Sequence, residues 1–248
     1  MQPNQHWLRE TCREATGSRN NGATSMNEVA NDHRSAKPPI PVGMKVGLLL
    51  FVIVLVPTVC RQYGPTSFLW LCYVSLFLTL AAVWLGSALL ASMAAVGVLV
   101  IQFLWLGGMI RGLAGLGVSE PMQYMFDPQI PLIARGLSLY HGWLPFLLLF
   151  LLKRLGYDRR ALVCYLPLAG TIFLLAYFLA SPPPAPATHP NLPVNLNFVH
   201  GLSYRAPQAW MAPGWWLLLV MVGSSLGLFL PTHLLLRRLF RPPPGHPA

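Results

Sequence analysis

The stretch that decides the fold is residues 62–110, QYGPTSFLWLCYVSLFLTLAAVWLGSALLASMAAVGVLVIQFLWLGGMI, which runs for 49 residues without a charged side chain. Two further segments, 161–204 and 206–236, also lack charged side chains. A charge at the centre of a bilayer costs roughly 2.5–3.5 kcal/mol even on the lowest scales, so charges collect at the ends of membrane-spanning helices. The sequence therefore predicts an integral membrane protein.

The composition supports the same class. The 248 residues are 54% hydrophobic and 10% charged, whereas soluble domains contain about 25% charged residues. A net charge of +10 would indicate nucleic-acid binding in a soluble protein, but here the basic residues stand beside apolar segments. We therefore expect no nucleic-acid partner. The expected partner is a bilayer with anionic headgroups, and the candidate protein partners are other membrane proteins or a second copy of this chain.

The sequence carries no motif for a cofactor or a structural metal. Its four cysteines, Cys12, Cys60, Cys72 and Cys164, form no C-x-x-C pair, which argues against a disulfide framework or a zinc site. A glycine-rich phosphate loop, a G-x-S-x-G turn and an H-E-x-x-H helix are also missing from the sequence. We expect no cofactor, and the sequence alone assigns no metal ligand.

The composition divides the chain into three parts. Residues 1–43 are polar and end in a proline-rich run, a composition that predicts a disordered segment. A second interpretation is that translation begins later, at Met44 or Met26, so that this segment is not made. Residues 44–240 form the transmembrane domain, and residues 241–248 form a proline-rich tail.

Apolar segments within residues 44–240 predict an all-α, polytopic bundle of about six spans. The six predicted spans are approximately 44–60, 67–85, 88–109, 132–152, 161–180 and 214–236. The first apolar run, 46–60, covers only about 22 Å at 1.5 Å per residue, so we expect residues 42–44 to extend it while Lys45 reaches outward. A signal peptide is the competing interpretation, but the run lacks the small residues of a cleavage site, which favours a retained span.

The distribution of basic residues sets the orientation. With a cytoplasmic N terminus, ten basic residues fall on the inner side: Arg34, Lys37, Lys45, Lys153, Arg154, Arg159, Arg160, Arg237, Arg238 and Arg241. Four fall on the outer side: Arg61, Arg111, Arg135 and Arg205. The sequence therefore predicts a multipass protein of the inner, cytoplasmic membrane with both termini in the cytoplasm.

Small residues recur at helical spacing and favour close helix packing. The second span carries Cys72, Ser75, Thr79, Ala82 and Gly86, and the third carries Ser87, Ala91, Ala95, Val98 and Gln102. Because a minimal turn joins these spans, the two stripes should face each other in an antiparallel hairpin. The last span carries a G-x-x-x-G pattern at Gly223 and Gly227. A buried Gln102 amide needs partners, which are either neighbouring helices or a ligand.

Ionisable and polar residues near the predicted outer side are the candidates for chemistry. Arg135, Ser138 and His141 are spaced by three on the fourth span and share one face. The outer loops add Glu120, Asp127, His189, Asn195, Asn197 and His200. These residue types can bind a divalent cation or pair a base with an acid for hydrolysis.

The two kinds of candidate role involve different residues. The catalytic candidates are His141, Asp127, Glu120 and His200, and the ligand-binding candidates are Arg135, Ser138, Gln102, Asn195 and Asn197. Structural roles are the competing interpretation, because Asp127 before Pro128 favours a capped turn and a histidine near the water boundary can bond to a loop.

Several stretches resemble a family of uncharacterised multipass membrane-associated proteins of bacteria, of the planctomycete type. The most specific part runs from Phe126 to Leu162 and includes FDPQIP, RGLSLYH and LGYDRRAL; further parts are FLW at 68–70, LLASMAAVGVL at 89–99, NLNFVHG at 195–201 and LPTHLLL at 230–236. The resemblance covers most of residues 44–240 and implies the same multipass topology, but the family supplies no established activity. It marks five positions for testing: Asp127, His141, Asn195, Asn197 and His233.

This chain departs from the pattern of that family at three places. The family has acidic residues near the positions of Tyr73, Gly86 and Gly108. A shared site that depended on those carboxylates would be missing from this protein.

Three hypotheses for the function follow. The first is a non-catalytic membrane component, a partner in a cell-envelope assembly. The second is an envelope-facing hydrolase or transferase for a lipid-linked substrate, with His141 as the base and Asp127 or Glu120 as its orienting group or as a metal ligand. The third is a small transporter, which kinked helices and polar stripes favour. Whether the protein is an enzyme is left open by the sequence.

Overall fold

The charge-free segments form helices in the computed structural model, which describes residues 40–188 and 192–243. Within those residues the β-structure is limited to one parallel bridge between Ser181 and Val194. The predicted all-α class is confirmed. The described residues belong to one compact unit. The predicted disordered segment lies almost wholly outside the described residues, and so does the end of the proline-rich tail.

Within the described residues, eight helices carry the fold. They are α1 (Val42–Tyr63), α2 (Leu71–Leu85), α3 (Ala88–Leu113), α4 (Leu132–Ser138), α5 (Tyr140–Leu155), α6 (Ala161–Leu179), α7 (Pro213–Ser224) and α8 (Leu230–Leu239). Short helical turns lie at Pro65–Leu69, Glu120–Met122, Gln123–Phe126 and Leu196–Phe198, and a π-helical turn at Ser225–Phe229 joins α7 to α8.

Five helical segments are long and apolar enough to cross a bilayer. They are Val42–Tyr63, Ala88–Leu113, Leu132–Leu155, Ala161–Leu179 and Pro213–Leu239. The first begins two residues before the predicted start and has 22 residues, so it reaches the needed length. The remaining apolar helix, α2, has 15 residues and covers only about 22 Å at 1.5 Å per residue. The structure thus describes a helical, multipass type of membrane protein with five clear candidate spans.

Helices α2 and α3 form the predicted antiparallel hairpin. Gly86 ends α2 in the left-handed conformation (φ 61°), which glycine adopts without a Cβ clash, and the Ser87 hydroxyl accepts a hydrogen bond from the Leu90 amide. Ala82 and Ala91 are fully buried where the two small-residue stripes meet. Helix α3 then packs against α2, α5, α6 and α8, so it is the central helix of the bundle.

One glycine allows α6 to approach α3 closely. A Cβ atom at Gly97 would lie 2.1 Å from the Tyr165 hydroxyl oxygen and 2.2 Å from its Cζ atom. The Tyr165 side chain is fully buried, and its ring meets Phe229 edge-on with centroids 5.1 Å apart. Gly97 therefore provides the space into which Tyr165 packs, and it holds α3, α6 and the π-helical turn together.

The fourth and last spans are interrupted. Leu139 separates α4 from α5, and Pro145 lies inside α5. The π-helical turn at Ser225–Phe229 ends two residues before Pro231 in the last span. Proline lacks the amide hydrogen that would bond to the carbonyl four residues earlier, which here is Gly227 within the π-helical turn, so this irregular backbone is a local consequence of the sequence.

Large apolar side chains cover much of the outer surface of the bundle. Val163 is 74% exposed, Phe178 75% and Leu226 60%. Exposed apolar surface on this scale is unfavourable in water but favourable against hydrocarbon. The surface therefore agrees with the membrane class that the composition predicts.

The two ends of the bundle differ in their loops. We call one end the loop end, because segments 114–131 and 180–212 lie there. We call the other the basic end: it contains residues 153–160, the start of α3 and the C-terminal end of α8. At the basic end the Lys45 ammonium lies 5.9 Å from the centre of the Trp84 ring, so the start of α1 and the end of α2 meet there.

Candidate functional site at the loop end

Two asparagines fold segment 192–204 onto the bundle. Asn197 is 8% exposed; its side chain donates to the Leu69 carbonyl (2.7 Å) and accepts from the Leu71 amide (3.1 Å). Asn195 is fully buried and bonds to the backbone of Gly201, Ser203 and His200. Both have φ near 52°, a left-handed conformation that asparagine tolerates better than most residues. These two ligand-binding candidates therefore have structural partners on every side-chain atom that can bond.

Segment 192–204 is also attached to the last span. The Trp216 indole N–H of α7 donates to the Phe198 carbonyl at 2.8 Å. Trp210 meets Trp216 edge-on with ring centroids 5.6 Å apart. The loop end thus connects the starts of α2 and α7 through one short segment.

Glu120 joins the two loop segments. Its carboxylate accepts from the Ser203 hydroxyl (3.2 Å) and the Tyr204 amide (3.1 Å), and it pairs with the Arg205 guanidinium (3.2 Å). Burial, followed by smaller effects that include the charge of Glu120, raises the pKa of Tyr204 well above its usual range. Both carboxylate oxygens have partners within the protein, so Glu120 acts here as a connection between loops.

Asp127 and Arg135 serve the turn before α4. One Asp127 carboxylate oxygen accepts from the Gln129 amide at 2.8 Å, which is the capped turn that Asp-Pro favours. Arg135 donates from Nη1 to the Met125 carbonyl at 3.3 Å, while its Nε is buried without a partner.

His141 and Ser138 lie at the interruption of the fourth span. The His141 Nδ1 atom lies 2.8 Å from the Ser138 carbonyl, and a carbonyl can only accept, so Nδ1 carries the proton and Nε2 keeps its lone pair. The imidazole stacks on Trp105, with centroids 5.0 Å apart. The Ser138 hydroxyl donates to the Ala134 carbonyl within α4. His141 is therefore held in one tautomer between α3 and the interruption.

Next to His141, Trp105 also reaches the short helical turn at Gln123–Phe126. Its indole N–H donates to the Tyr124 hydroxyl at 3.1 Å. Burial raises the pKa of Tyr124 to about 12, so this hydroxyl stays protonated at neutral pH. Trp105 thus connects His141 with the loop end through an aromatic contact and a hydrogen bond.

His200 contacts a different helix from His141. Its ring stacks on Tyr177 of α6 with centroids 5.0 Å apart, and it bonds to the Ala180 carbonyl. Its Nε2 atom is buried without a partner. Burial lowers the pKa of His200, and the Ala180 carbonyl partly offsets that shift.

The predicted candidates thus form two groups. Glu120, Asn195, Asn197 and His200 organise segment 180–212, and Asp127, Arg135, Ser138 and His141 organise the entry to α5. Among the residues that the structure describes, no three His, Cys, Asp or Glu side chains lie close enough to share a metal ion. His189, the remaining candidate, lies outside the described residues.

Sequence reasoning missed a second polar cluster, at the basic end. The Tyr157 hydroxyl and His233 Nδ1 lie 2.6 Å apart in a buried hydrogen bond. Burial and the nearby Asp158 carboxylate raise the pKa of Tyr157 above its usual range, so the hydroxyl stays protonated at neutral pH. Asp158 is 5% exposed; it accepts from the amide and guanidinium of Arg160, and its own amide donates to the Ser92 hydroxyl at 2.9 Å. The charged motif GYDRR was the signal that could have indicated this cluster.

Gln102 is fully buried, as the sequence predicts, but neither of its amide atoms has a hydrogen-bond partner. The hydroxyls of Ser75 and Tyr165, also fully buried, lie beside each other, and the buried Tyr140 hydroxyl lies beside the Cys72 thiol. Sequence reasoning gave no role to either tyrosine.

Comparison of the chain with family models, with curated proteins and with solved structures gave no match.

Proposed function

We propose that this protein is a non-catalytic component of the bacterial inner membrane, a partner in a cell-envelope assembly, with six spans and both termini in the cytoplasm. The observation that supports the non-catalytic role is that the candidate acids and bases form hydrogen bonds with the protein's own backbone. Glu120 bonds to a neighbouring loop, Asp127 to its own turn and His141 to the carbonyl before α5. Each contact stabilises backbone structure, which is what a structural role requires.

The charge distribution supports the orientation. The basic end contains Lys45 and the basic residues of segments 153–160 and 237–241, while the loop end contains Arg61, Arg111, Arg135 and Arg205. Cytoplasmic loops of inner-membrane proteins are rich in Lys and Arg, so the basic end is the cytoplasmic side of our proposal. Its cations would contact anionic headgroups.

Helix α2 decides between five and six spans, and single cysteines test it. In a cysteine-free background, Gly64→Cys precedes α2 and Ser87→Cys follows it. With six spans, an impermeant thiol reagent added outside intact spheroplasts labels Gly64→Cys, and Ser87→Cys is labelled only after permeabilisation. Labelling of both positions from the same side would contradict the sixth span.

Complementation of a deletion strain tests the non-catalytic role. We expect His141→Ala and Asp127→Asn to restore the envelope as well as the natural sequence does when the proteins are present at equal membrane abundance. Asn197→Ala, which disrupts the loop end, is the matched variant that we expect to fail. Loss of complementation by His141→Ala at normal abundance would contradict the proposal and favour a hydrolase.

The hydrolase or transferase is a second candidate because one observation favours it. The Ser138 carbonyl fixes His141 with its lone pair on Nε2, which is the form that a general base needs. A His141→Gln variant keeps a hydrogen-bonding group but cannot act as a base. If this candidate is correct, His141→Gln fails to complement while its unfolding midpoint in detergent is unchanged.

A helix contact through Gly223 and Gly227 is part of the proposal. A Cβ atom at either glycine would meet nothing within 4 Å, so both lie open on the surface of the last span. Close contact between small residues is a common mode of helix association in lipid. We expect Gly223→Leu and Gly227→Leu to reduce energy transfer between labelled copies in liposomes. The control is Gly214→Leu, which is equally open but lies at the start of α7; an equal reduction there would contradict this contact.

We also infer membership of the uncharacterised planctomycete-type family. The support is the resemblance of residues 126–162 together with the contacts of the marked residues, since Asn197 and His233 each bond to a distant segment and Asn195 bonds to the backbone of its own loop. Sequences of further members would test it, because we expect them to keep residue types able to make these bonds.

A further inference from the structure

Helix α2 is too short to reach the loop end of a membrane. Its 15 residues cover only about 22 Å from the turn at Gly86, whereas the core of a bilayer is about 30 Å thick. Lys45 and Trp84 meet beside that turn, and such side chains are typical of a membrane boundary. The N-terminal end of α2 therefore lies within the depth of the core. Backbone groups at this depth need partners from the protein, because lipid supplies none.

Residues 194–204, which we call the lid, supply those partners. The N-cap residue of α2, Trp70, forms no capping bond with its own side chain. Instead, the Asn197 side chain of the lid accepts a hydrogen bond from the Leu71 amide at 3.1 Å and donates to the Leu69 carbonyl at 2.7 Å. The lid therefore caps α2 from a position 126 residues further along the chain.

Two further contacts attach the lid to other parts of the bundle. The Trp216 indole of α7 donates to the Phe198 carbonyl at 2.8 Å. The Glu120 carboxylate, from the segment between α3 and α4, accepts from the Tyr204 amide at 3.1 Å. The lid is thus held at three places, by α2, by α7 and by the segment that contains Glu120.

Asn195 connects the parts of the lid with one another. Its fully buried side chain donates to the carbonyls of Gly201 and Ser203, at 2.8 and 2.9 Å, and accepts from the His200 amide at 2.8 Å. Because these bonds join both halves of the lid, a change at one attachment acts on the whole segment. We therefore expect the three attachments to break together.

The closed position of the lid has two unfavourable features. Phe198 has a φ angle of 61°, a left-handed conformation that is an outlier for a bulky residue. The His200 Nε2 atom is buried without a hydrogen-bond partner, which is also unfavourable. Both features are relieved when the lid moves outward and water reaches it. Leu196 and Val199 are fully buried and oppose this movement, so the open form is a minor population.

Backbone strain of this kind is concentrated at segments that change position, such as ligand clamps and switch regions. We propose that the lid opens as one unit and exposes the N-terminal end of α2 to water at the loop end. The proposal requires only that the bundle lies in a membrane and does not depend on the non-catalytic role.

Hydrogen exchange of single backbone amides, measured on the full chain in lipid nanodiscs, tests this proposal. The reporter is the Leu71 amide, because it belongs to α2 while its acceptor, Asn197, belongs to the lid. The Tyr204 amide reports on the lid itself. The Leu76 amide lies in the interior of α2 and reports on unfolding of the helix.

In the natural protein we expect the Leu71 amide to exchange at least about tenfold faster than the Leu76 amide, after correction for their intrinsic exchange rates. Equal protection of the two amides would overturn the proposal, because α2 would then be uncovered only when the helix itself unfolds. This comparison needs no substitution, so it stands even if a variant fails to fold.

Trp216→Phe tests whether the lid opens as one unit. It keeps a ring in α7 but removes the donor to the Phe198 carbonyl, so it should speed exchange at Leu71 and Tyr204 by the same factor, about fivefold, and leave Leu76 unchanged. Gln208→Ala is the control, since its side chain bonds only to Met211, and it should leave all three rates unchanged.

Two results with Trp216→Phe would overturn the proposal. Faster exchange at Tyr204 without a change at Leu71 would show that the segment frays locally and does not uncover α2. An equal acceleration at Leu71, Tyr204 and Leu76 would show that the whole bundle loosens.

Discussion

The loop end and the basic end of this bundle are both held by polar side chains, but they use different chemical groups. At the loop end, the Asn197 amide bonds to the backbone of Leu69 and Leu71, which precede it by 128 and 126 residues. At the basic end, the Tyr157 hydroxyl and the His233 ring join segments 76 residues apart, and the Asp158 carboxylate binds Arg160, two residues away. A neutral amide thus binds distant backbone at the first end, whereas a phenol–imidazole pair and a carboxylate hold the second.

The difference follows from the medium that each end faces. Buried amide side chains form hydrogen bonds with backbone groups without bringing a charge into the protein. They can therefore hold a segment that folds over the helix ends. The short basic segment exposes its cations, and the Arg160 side chain is 60% exposed beside its buried carboxylate partner. Accordingly, we expect the loop end to depend on a few buried bonds and the basic end to tolerate most single changes.

The helix bundle lies between the two ends. We expect the largest loss of stability from a substitution within it. Gly97→Ala places a methyl group against the Tyr165 ring and should lower the free energy of unfolding by about 3 kcal/mol or more. Chemical unfolding in detergent, followed by tryptophan fluorescence, measures this change. Gly107→Ala on the same helix meets nothing within 4 Å and should be neutral or stabilising. Equal effects of the two substitutions would contradict the close approach of α6.

At the loop end, Asn197→Ala removes both long-range bonds and leaves the Leu69 carbonyl and the Leu71 amide unpaired. We expect a loss of about 2–3 kcal/mol in the free energy of unfolding, together with faster proteolysis of segment 192–212. Gln208→Ala is the control, since its side chain bonds only to Met211 nearby. If both variants are cleaved at the rate of the natural protein, segment 192–212 is not held by Asn197.

At the basic end, Asp158→Ala removes the cap of the Arg160 amide and should cost about 1–2 kcal/mol. Arg160→Ala should cost less than Asp158→Ala, because exposed ion pairs contribute little. The same unfolding measurement applies. A larger effect for Asp158→Ala than for Asn197→Ala would reverse the comparison between the two ends.

Acid should loosen the loop end through His200. Burial lowers its pKa in the folded protein, so below the ordinary histidine pKa of about 6.5 the unfolded state binds more protons and stability falls as the pH falls. Hydrogen exchange of segment 192–204 at pH 7.5 and pH 5 measures this opening. His200→Phe keeps a ring against Tyr177 without the titrating group, and its exchange should change less between the two pH values. An equal change in both proteins would show that His200 is not the sensor.

The smallest effect is expected for the ion pair between Glu120 and Arg205. The Arg205 side chain is 80% exposed, so Arg205→Gln should cost about 0.5 kcal/mol or less at low salt and nothing at high salt. Glu120→Ala also removes the contacts with Ser203 and Tyr204 and should cost more. An equal loss of stability in both variants would show that Glu120 stabilises the protein only through its ion pair with Arg205.

The helices could be predicted from the sequence because their causes are local. Length, hydropathy, the Gly86-Ser87 turn and Asp127-Pro128 each act within a few residues, and the predicted ends of α3 and α6 lie within four residues of the observed ends. The partners of Asn197 and Tyr157 could not be predicted, since they come from segments that become neighbours only after folding. The packing of Tyr165 over Gly97 and beside Ser75 has the same origin, because its neighbours belong to other helices.

The contacts of the chain beyond α8 constrain the order of assembly. The Tyr157 amide donates to the Arg241 carbonyl at 2.8 Å, and the conformation of Gly156 (φ 85°) lets Pro243 lie against it. His233, the other partner of Tyr157, is 76 residues further along the chain. During synthesis these partners emerge after α6 and α7, so the segment between α5 and α6 must wait at the membrane surface until residues 233–243 have been made. Arrested chains that lack residues 230–243 should therefore accumulate in a form that quality-control proteases cut between α5 and α6.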